Sequence, residues 1–217
     1  MLSIFGGVLY CSASLFWIMD TVLSTSDYYA LVTVGYFTGG TSFGCANYLN
    51  FFKTRRSERA RSLSYAIALV FAVGSFLVFW PYLFDVLHID FERWSLPWHC
   101  DRAVYTAACA LFFVGGALCV ISARRAESKD FVSTCVAWQC LVGGLCFFVG
   151  ALGLYSTDEW VLFFVSKMNF LVGSVCYFAV SVIALYRLNA RKALFQCLYV
   201  VTLAVSFTGI VWTTCSL

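Results

Sequence analysis

The chain has 217 residues, 62% of them hydrophobic and only 12% charged. A soluble domain carries about a quarter charged residues and just under half apolar ones, so this chain lacks the polar surface to cover a water-soluble globule. The net charge of +3 sits in short loops between apolar runs, which excludes a nucleic-acid patch and leaves topology as its explanation.

Seven apolar segments follow in order, at about 1–22, 28–52, 63–87, 103–123, 131–154, 160–186 and 193–215. Runs of about 20 apolar residues span the hydrocarbon core of a bilayer as helices, whereas barrel strands are shorter and alternate. The expected fold is therefore all-α: a polytopic membrane protein of seven transmembrane helices in repeated antiparallel hairpins. It forms a single domain over 1–217.

The first segment, "MLSIFGGVLYCSASLFWIMD", has no Lys or Arg before its apolar run. That departs from a cleaved signal peptide, and residues 1 to about 20 read as a retained first span. The second segment carries Asn47 and Asn50 near its far end, where local hydrogen bonds are expected. The loop after it, "KTRRSERAR", holds Lys53, Arg55, Arg56, Arg59 and Arg61. Two further alternate loops hold Arg124, Arg125 and Lys129, then Arg187, Arg191 and Lys192. Together these loops carry eleven of the fourteen basic residues. Cytoplasmic loops carry the Lys/Arg excess, so the N-terminus is expected inside and the C-terminus on the opposite side.

The third segment, "VFAVGSFLVF", introduces a phrase that returns along the chain. Gly39-Gly40, Gly74-Ser75, Gly115-Gly116, Gly143-Gly144 and Gly173-Ser174 all lie among Val, Phe and Leu. Each pair falls about 11 to 13 residues into its segment, roughly 16–20 Å deep and near the bilayer midplane. Small residues there let helix backbones approach closely. Gly40, Gly74, Gly116, Gly143 and Gly173 are thus the expected packing positions. The spacing divides the chain into hairpin-like repeats at about 1–52, 63–123 and 131–186, with a last helix at 193–215. The phrases "FAVGSFLVFWP" and "FLVGSVCYFAVSVIALYRL" resemble the YrhK domain, a short two-helix membrane module with a Gly-Ser pair in each helix. The resemblance extends over the chain as successive copies and is strongest at 66–123 and 135–188. It implies no reaction, ligand or functional residue.

The long loop after the third segment, "DVLHIDFERWSLPWHCDR", holds both histidines. His88, His99 and Cys100 with neighbouring carboxylates have the chemistry of a zinc site. The competing reading is an interfacial segment with Trp94 and Trp98 at the headgroup level and its charges in water. The latter is preferred, and no metal or other cofactor is expected. Of eleven cysteines, nine fall within segments as small packing residues. Cys100 and Cys215 lie toward the same face, where an oxidising compartment would allow them to pair.

The sixth segment contains Lys167, the one basic residue inside a span. An ionisable group in a membrane is a functional candidate by default. Its expected partners are Asp85, Asp20 or Asp158, all at the ends of segments on its side. A snorkelling lysine is the simpler alternative. No segment is marked as broken in mid-span. No Ser-His-Asp order, HExxH or phosphate loop occurs, so a non-enzymatic protein is expected. A packing, assembly or scaffold role fits the glycine pattern best. A small-solute or ion transporter or channel is the alternative, favoured by internal repeats and the intramembrane charge. The expected partners are the lipid bilayer and, through small-residue faces, further copies of the chain or other membrane proteins.

Overall fold

The computed structural model describes residues 2–20, 23–57, 62–87, 100–126 and 130–188. The helices are α1 (Leu2–Ile18), α2 (Thr25–Tyr28), α3 (Val34–Ser57), α4 (Leu63–Val86), α5 (Cys100–Arg125), α6 (Phe131–Gly153), α7 (Glu159–Val161) and α8 (Met168–Leu188). A π-helical stretch, Tyr29–Thr33, joins α2 to α3 without a break, and another, Leu162–Lys167, joins α7 to α8. The described residues contain only helices, turns and short connections. Four helical segments are long and apolar enough to cross a membrane: Leu63–Leu83, Arg102–Arg125, Phe131–Gly153 and Glu159–Arg187. Leu2–Ile18 is apolar but shorter. The expected last helix at 193–215, Cys215, His88 and His99 lie outside the described residues, as do the side chains of Asp85 and Cys100.

Polar residues set the helix starts. Asp130 accepts from Val132 N at 3.2 Å, and Asp158 accepts from Trp160 N at 2.8 Å. Ser24 accepts from Asp27 N and Ser62 from Tyr65 N. Each satisfies an amide that the first helical turn leaves unpaired. Arg55, Arg56, Arg124, Arg125 and Arg187 occupy last turns, where the helix dipole favours positive charge. That charge, with the good helix propensity of Lys and Arg, carries α3 through Ser57 rather than ending it near 52. The first part of "KTRRSERAR" is therefore helix and not loop.

Helices α1, α3, α4, α5, α6 and α8 pack in chain order, and α8 returns to α1. Among the described residues the result is a closed ring of six. The seams are made by small residues. A Cβ on Gly116 would lie 2.6 Å from Cys140 O, and one on Gly144 would lie 2.6 Å from Phe112 O. Backbones of α5 and α6 touch at both places. A Cβ on Gly74 would meet Leu111 and the Ala108 carbonyl of α5, at 3.3 and 3.4 Å. Gly143 and Gly173 face each other across α6 and α8, beside Tyr177 and Phe147. Gly40 differs, because its hydrogen faces the rings of Tyr10 and Tyr82 in the ring's interior.

Polarity is distributed as lipid requires. Phe76, Trp80, Val114, Leu145, Phe164 and Val175 are exposed on the outside. Ser14, Ser166 and Ser174 are completely buried within. Their hydroxyls donate to carbonyls: Ser14 to Tyr10, Ser166 to Gly150, and Ser174 to Phe170. Ser14 and Ser174 bond the carbonyl one turn back in their own helices and Ser166 bonds across to α6, so each buried hydroxyl is satisfied without water.

Candidate functional site: two cavities and an aromatic layer

Aromatic side chains fill the ring, and Tyr82 and Tyr105 place them toward the end opposite the basic helix ends. Tyr10 of α1 meets Tyr36 of α3 edge-on at 5.4 Å and Tyr82 of α4 at 6.3 Å. Tyr36 and Tyr82 stack in parallel at 5.6 Å. Phe147 of α6 reaches Phe170 of α8 at 5.8 Å, and Phe170 reaches Tyr105 of α5 at 5.6 Å. Edge-on and offset arrangements suit the ring quadrupoles and hold such a layer in register. Its phenols are satisfied locally. Tyr82 and Tyr105 share a hydrogen bond at 2.7 Å, and Tyr36 shares one with Ser14 at 2.9 Å. Ser14 also lies 3.2 Å from Ser174 Oγ, which links α1, α3 and α8 at one point.

A cavity lies on each side of this layer. The larger, of about 460 Å³, occupies the half of the ring nearer the basic helix ends. All six ring helices contribute to it. Tyr10, Phe43, Phe71, Phe112, Phe147 and Tyr177 make its aromatic wall. Asn47, Asn50, Ser75 and Ser181 make its polar side, and among the described residues no charged side chain lines it. Asn47 donates across the helix seam to Ser75 Oγ at 2.8 Å. The local bond expected for this asparagine is replaced by a bridge from α3 to α4.

The smaller cavity, of about 190 Å³, lies toward the opposite end. Trp17, Tyr36, Tyr82, Tyr105 and Phe170 surround it, with Thr33, Pro81 and Arg102 at its edge. Arg102 donates to Leu154 O at 2.8 Å. Three backbone irregularities border this region. Pro81 lies inside α4 and removes one helical hydrogen bond. The π-helical stretches Tyr29–Thr33 and Leu162–Lys167 lie on the chains entering α3 and α8. The helices nevertheless run on through these points, which lie toward the ends of their spans and not in the middle. A π turn inserts a residue into the helical register. At Leu162–Lys167 it lets the adjacent Ser166 and Lys167 both point inward, where both are buried.

Lys167 pairs with Asp20, Nζ to Oδ2, at 2.5 Å. The lysine side chain is 7% exposed and the carboxylate 30%. The ammonium also lies 5.9 Å from the centre of the Trp17 ring, within cation–π range. The pair ties the end of α1 to the start of α8, the seam that closes the ring. Asp158 is occupied as the cap of α7 and is turned to backbone amides. Among the described residues, no three metal-ligating side chains come together. A comparison with known proteins finds no matching family model, no matching curated protein and no matching solved structure.

Sequence reading missed the tyrosine layer and both cavities. Tyr10, Tyr36, Tyr82 and Tyr105 come from four helices at unrelated spacings, and only ring closure brings them to one height. The nearest available signal was aromatic content, at 19% of the chain.

Proposed function

We propose that the protein is a seven-span membrane carrier for a small solute, with its N-terminus on the cytoplasmic side and its C-terminus opposite. The observation that carries this reading is the pair of cavities on either side of one aromatic layer, inside a closed helical ring. A protein built only to pack or assemble has no need of an interior. Here small residues are placed at the seams, while bulky aromatic residues divide the inside into two compartments. That arrangement suits alternating exposure of a central site to two sides. Pro81 and the two π-helical stretches give the end opposite the basic loops the backbone irregularity that a moving gate requires. The seventh span and the orientation rest on the apolar run at 193–215 and on the placement of the basic residues.

The test is flux. Purified protein in liposomes should move at least one member of a panel of sugars, organic anions, organic cations and alcohols faster than empty liposomes do. Rates should saturate with concentration. If no solute in the panel moves, the carrier reading is wrong and the assembly role takes its place.

A further inference from the structure

The larger cavity has a composition that selects its occupant. We infer that it is a binding site for an uncharged, ring-containing amphiphile with one hydrogen-bonding group. The inference rests on the carrier reading above and names the class of its substrate. Three observations carry it. The first is charge: no acidic or basic side chain lines the cavity among the described residues, although Lys167 and Asp20 lie elsewhere in the ring. An ion entering this space would lose its water and gain no counter-charge, which is far more costly than burying a hydroxyl. The second is wall chemistry. Six aromatic rings face one another there, and flat apolar surfaces stack on such walls. The third is the polar handle. Asn47 and Ser75 are already oriented by their mutual hydrogen bond, and together they offer an amide and a hydroxyl to a single polar group.

Size follows from volume. A cavity of about 150 Å³ accommodates benzene, so one of 460 Å³ suits about three such rings, or about 18 non-hydrogen atoms. The occupant can enter from the bilayer or from the aqueous side near the basic loops, since its chemistry suits both.

The test uses three probes of matched shape: 1-pyrenemethanol, 1-pyrenecarboxylate and 1-pyrenemethylamine. Binding is read by native mass spectrometry of the purified full chain, which counts ligands per protein and needs no transport. One molecule of the alcohol should be retained per chain. The two charged analogues should bind roughly tenfold more weakly or worse. Ala46→Phe and Ser181→Phe fill the cavity from α3 and from α8, and each should remove retention of the alcohol. Asn47→Leu should weaken the alcohol by about fivefold, in line with one lost hydrogen bond, and leave 1-methylpyrene unchanged. Two filling variants from different helices guard against one failing to fold, which thermal melting would reveal. Equal binding of neutral and charged probes overturns the substrate class. So does retention unaffected by both filling variants, or no retention of the alcohol. Flux of a charged solute in the liposome panel, with no binding of the alcohol, would keep the carrier reading and reject this one.

Discussion

Lys167 shows how a single residue can be legible in sequence while its role is not. Its position in an apolar segment marks it as an outlier, and three acids at helix ends were its plausible partners. Asp20 is chosen because the ring closes between α1 and α8, a long-range fact that no local pattern carries. The unequal burial of the pair gives an ordered expectation. Asp20→Asn leaves a lysine with 7% exposure and no counter-charge, and should cost about 3–5 kcal/mol. Lys167→Met leaves a carboxylate that retains some water, and should cost less. The double variant should recover most of the loss, because a neutral pair leaves no buried charge without its counter-charge. Thermal melts of the three variants in detergent give the order, and a worse double variant would reject the account. A second ion pair behaves differently. Asp130 at the start of α6 receives the Ser133 hydroxyl and the Arg187 guanidinium. Chiefly the Ser133 bond, and then Arg187, hold its carboxyl below the ordinary range. A lowered acid stabilises above its unfolded value and loses that effect as pH falls through its folded value. The difference in melting temperature between the wild type and Asp130→Asn should therefore be constant from neutral pH to about 5 and shrink below about 4.

At the scale of the element, the glycine pairs stand out in the sequence because helix packing in lipid favours small residues. What they contact was not readable. Gly116 and Gly144 hold backbone against backbone, while Gly40 makes room for two tyrosine rings. The π-helical stretches were invisible, since their widened hydrogen bonding leaves no mark on composition. The glycines provide an internal control. Gly116→Ala places a methyl group against the backbone of α6 and should destabilise by about 1–3 kcal/mol. At Gly44 the nearest neighbours of a new Cβ would be Ser75 at 3.8 Å and Tyr48 at 3.9 Å, ordinary contact distances. Gly44→Ala should therefore be neutral, or stabilise by up to about 1 kcal/mol by lowering the conformational entropy of the unfolded chain. Parallel thermal melts decide the matter. Equal responses at the two positions would mean that the α5–α6 seam is looser than its geometry.

Over the described residues a linear alternation of helices becomes a ring, and the ring encloses two cavities. The alternation and the basic end were legible in sequence, because hydropathy and Lys/Arg placement are local properties. The compartments arise from side chains on different helices meeting at one height. If the tyrosine layer separates them, its function depends on ring volume more than on its hydrogen bonds. Tyr82→Phe removes the 2.7 Å bond to Tyr105 and leaves the ring in place. It should cost about 1 kcal/mol and keep the barrier closed. Tyr10→Ala removes the side chain that lines the larger cavity and also contacts Tyr36 and Tyr82, which border the smaller one. It should cost about 3–5 kcal/mol and join the two spaces. In liposomes loaded with a pH-sensitive dye, Tyr10→Ala should leak protons faster than the wild type, and Tyr82→Phe should not. A leak from Tyr82→Phe alone would locate the seal in the hydrogen bond. A tight Tyr10→Ala protein, folded by its melting curve, would show that the barrier lies elsewhere in the ring.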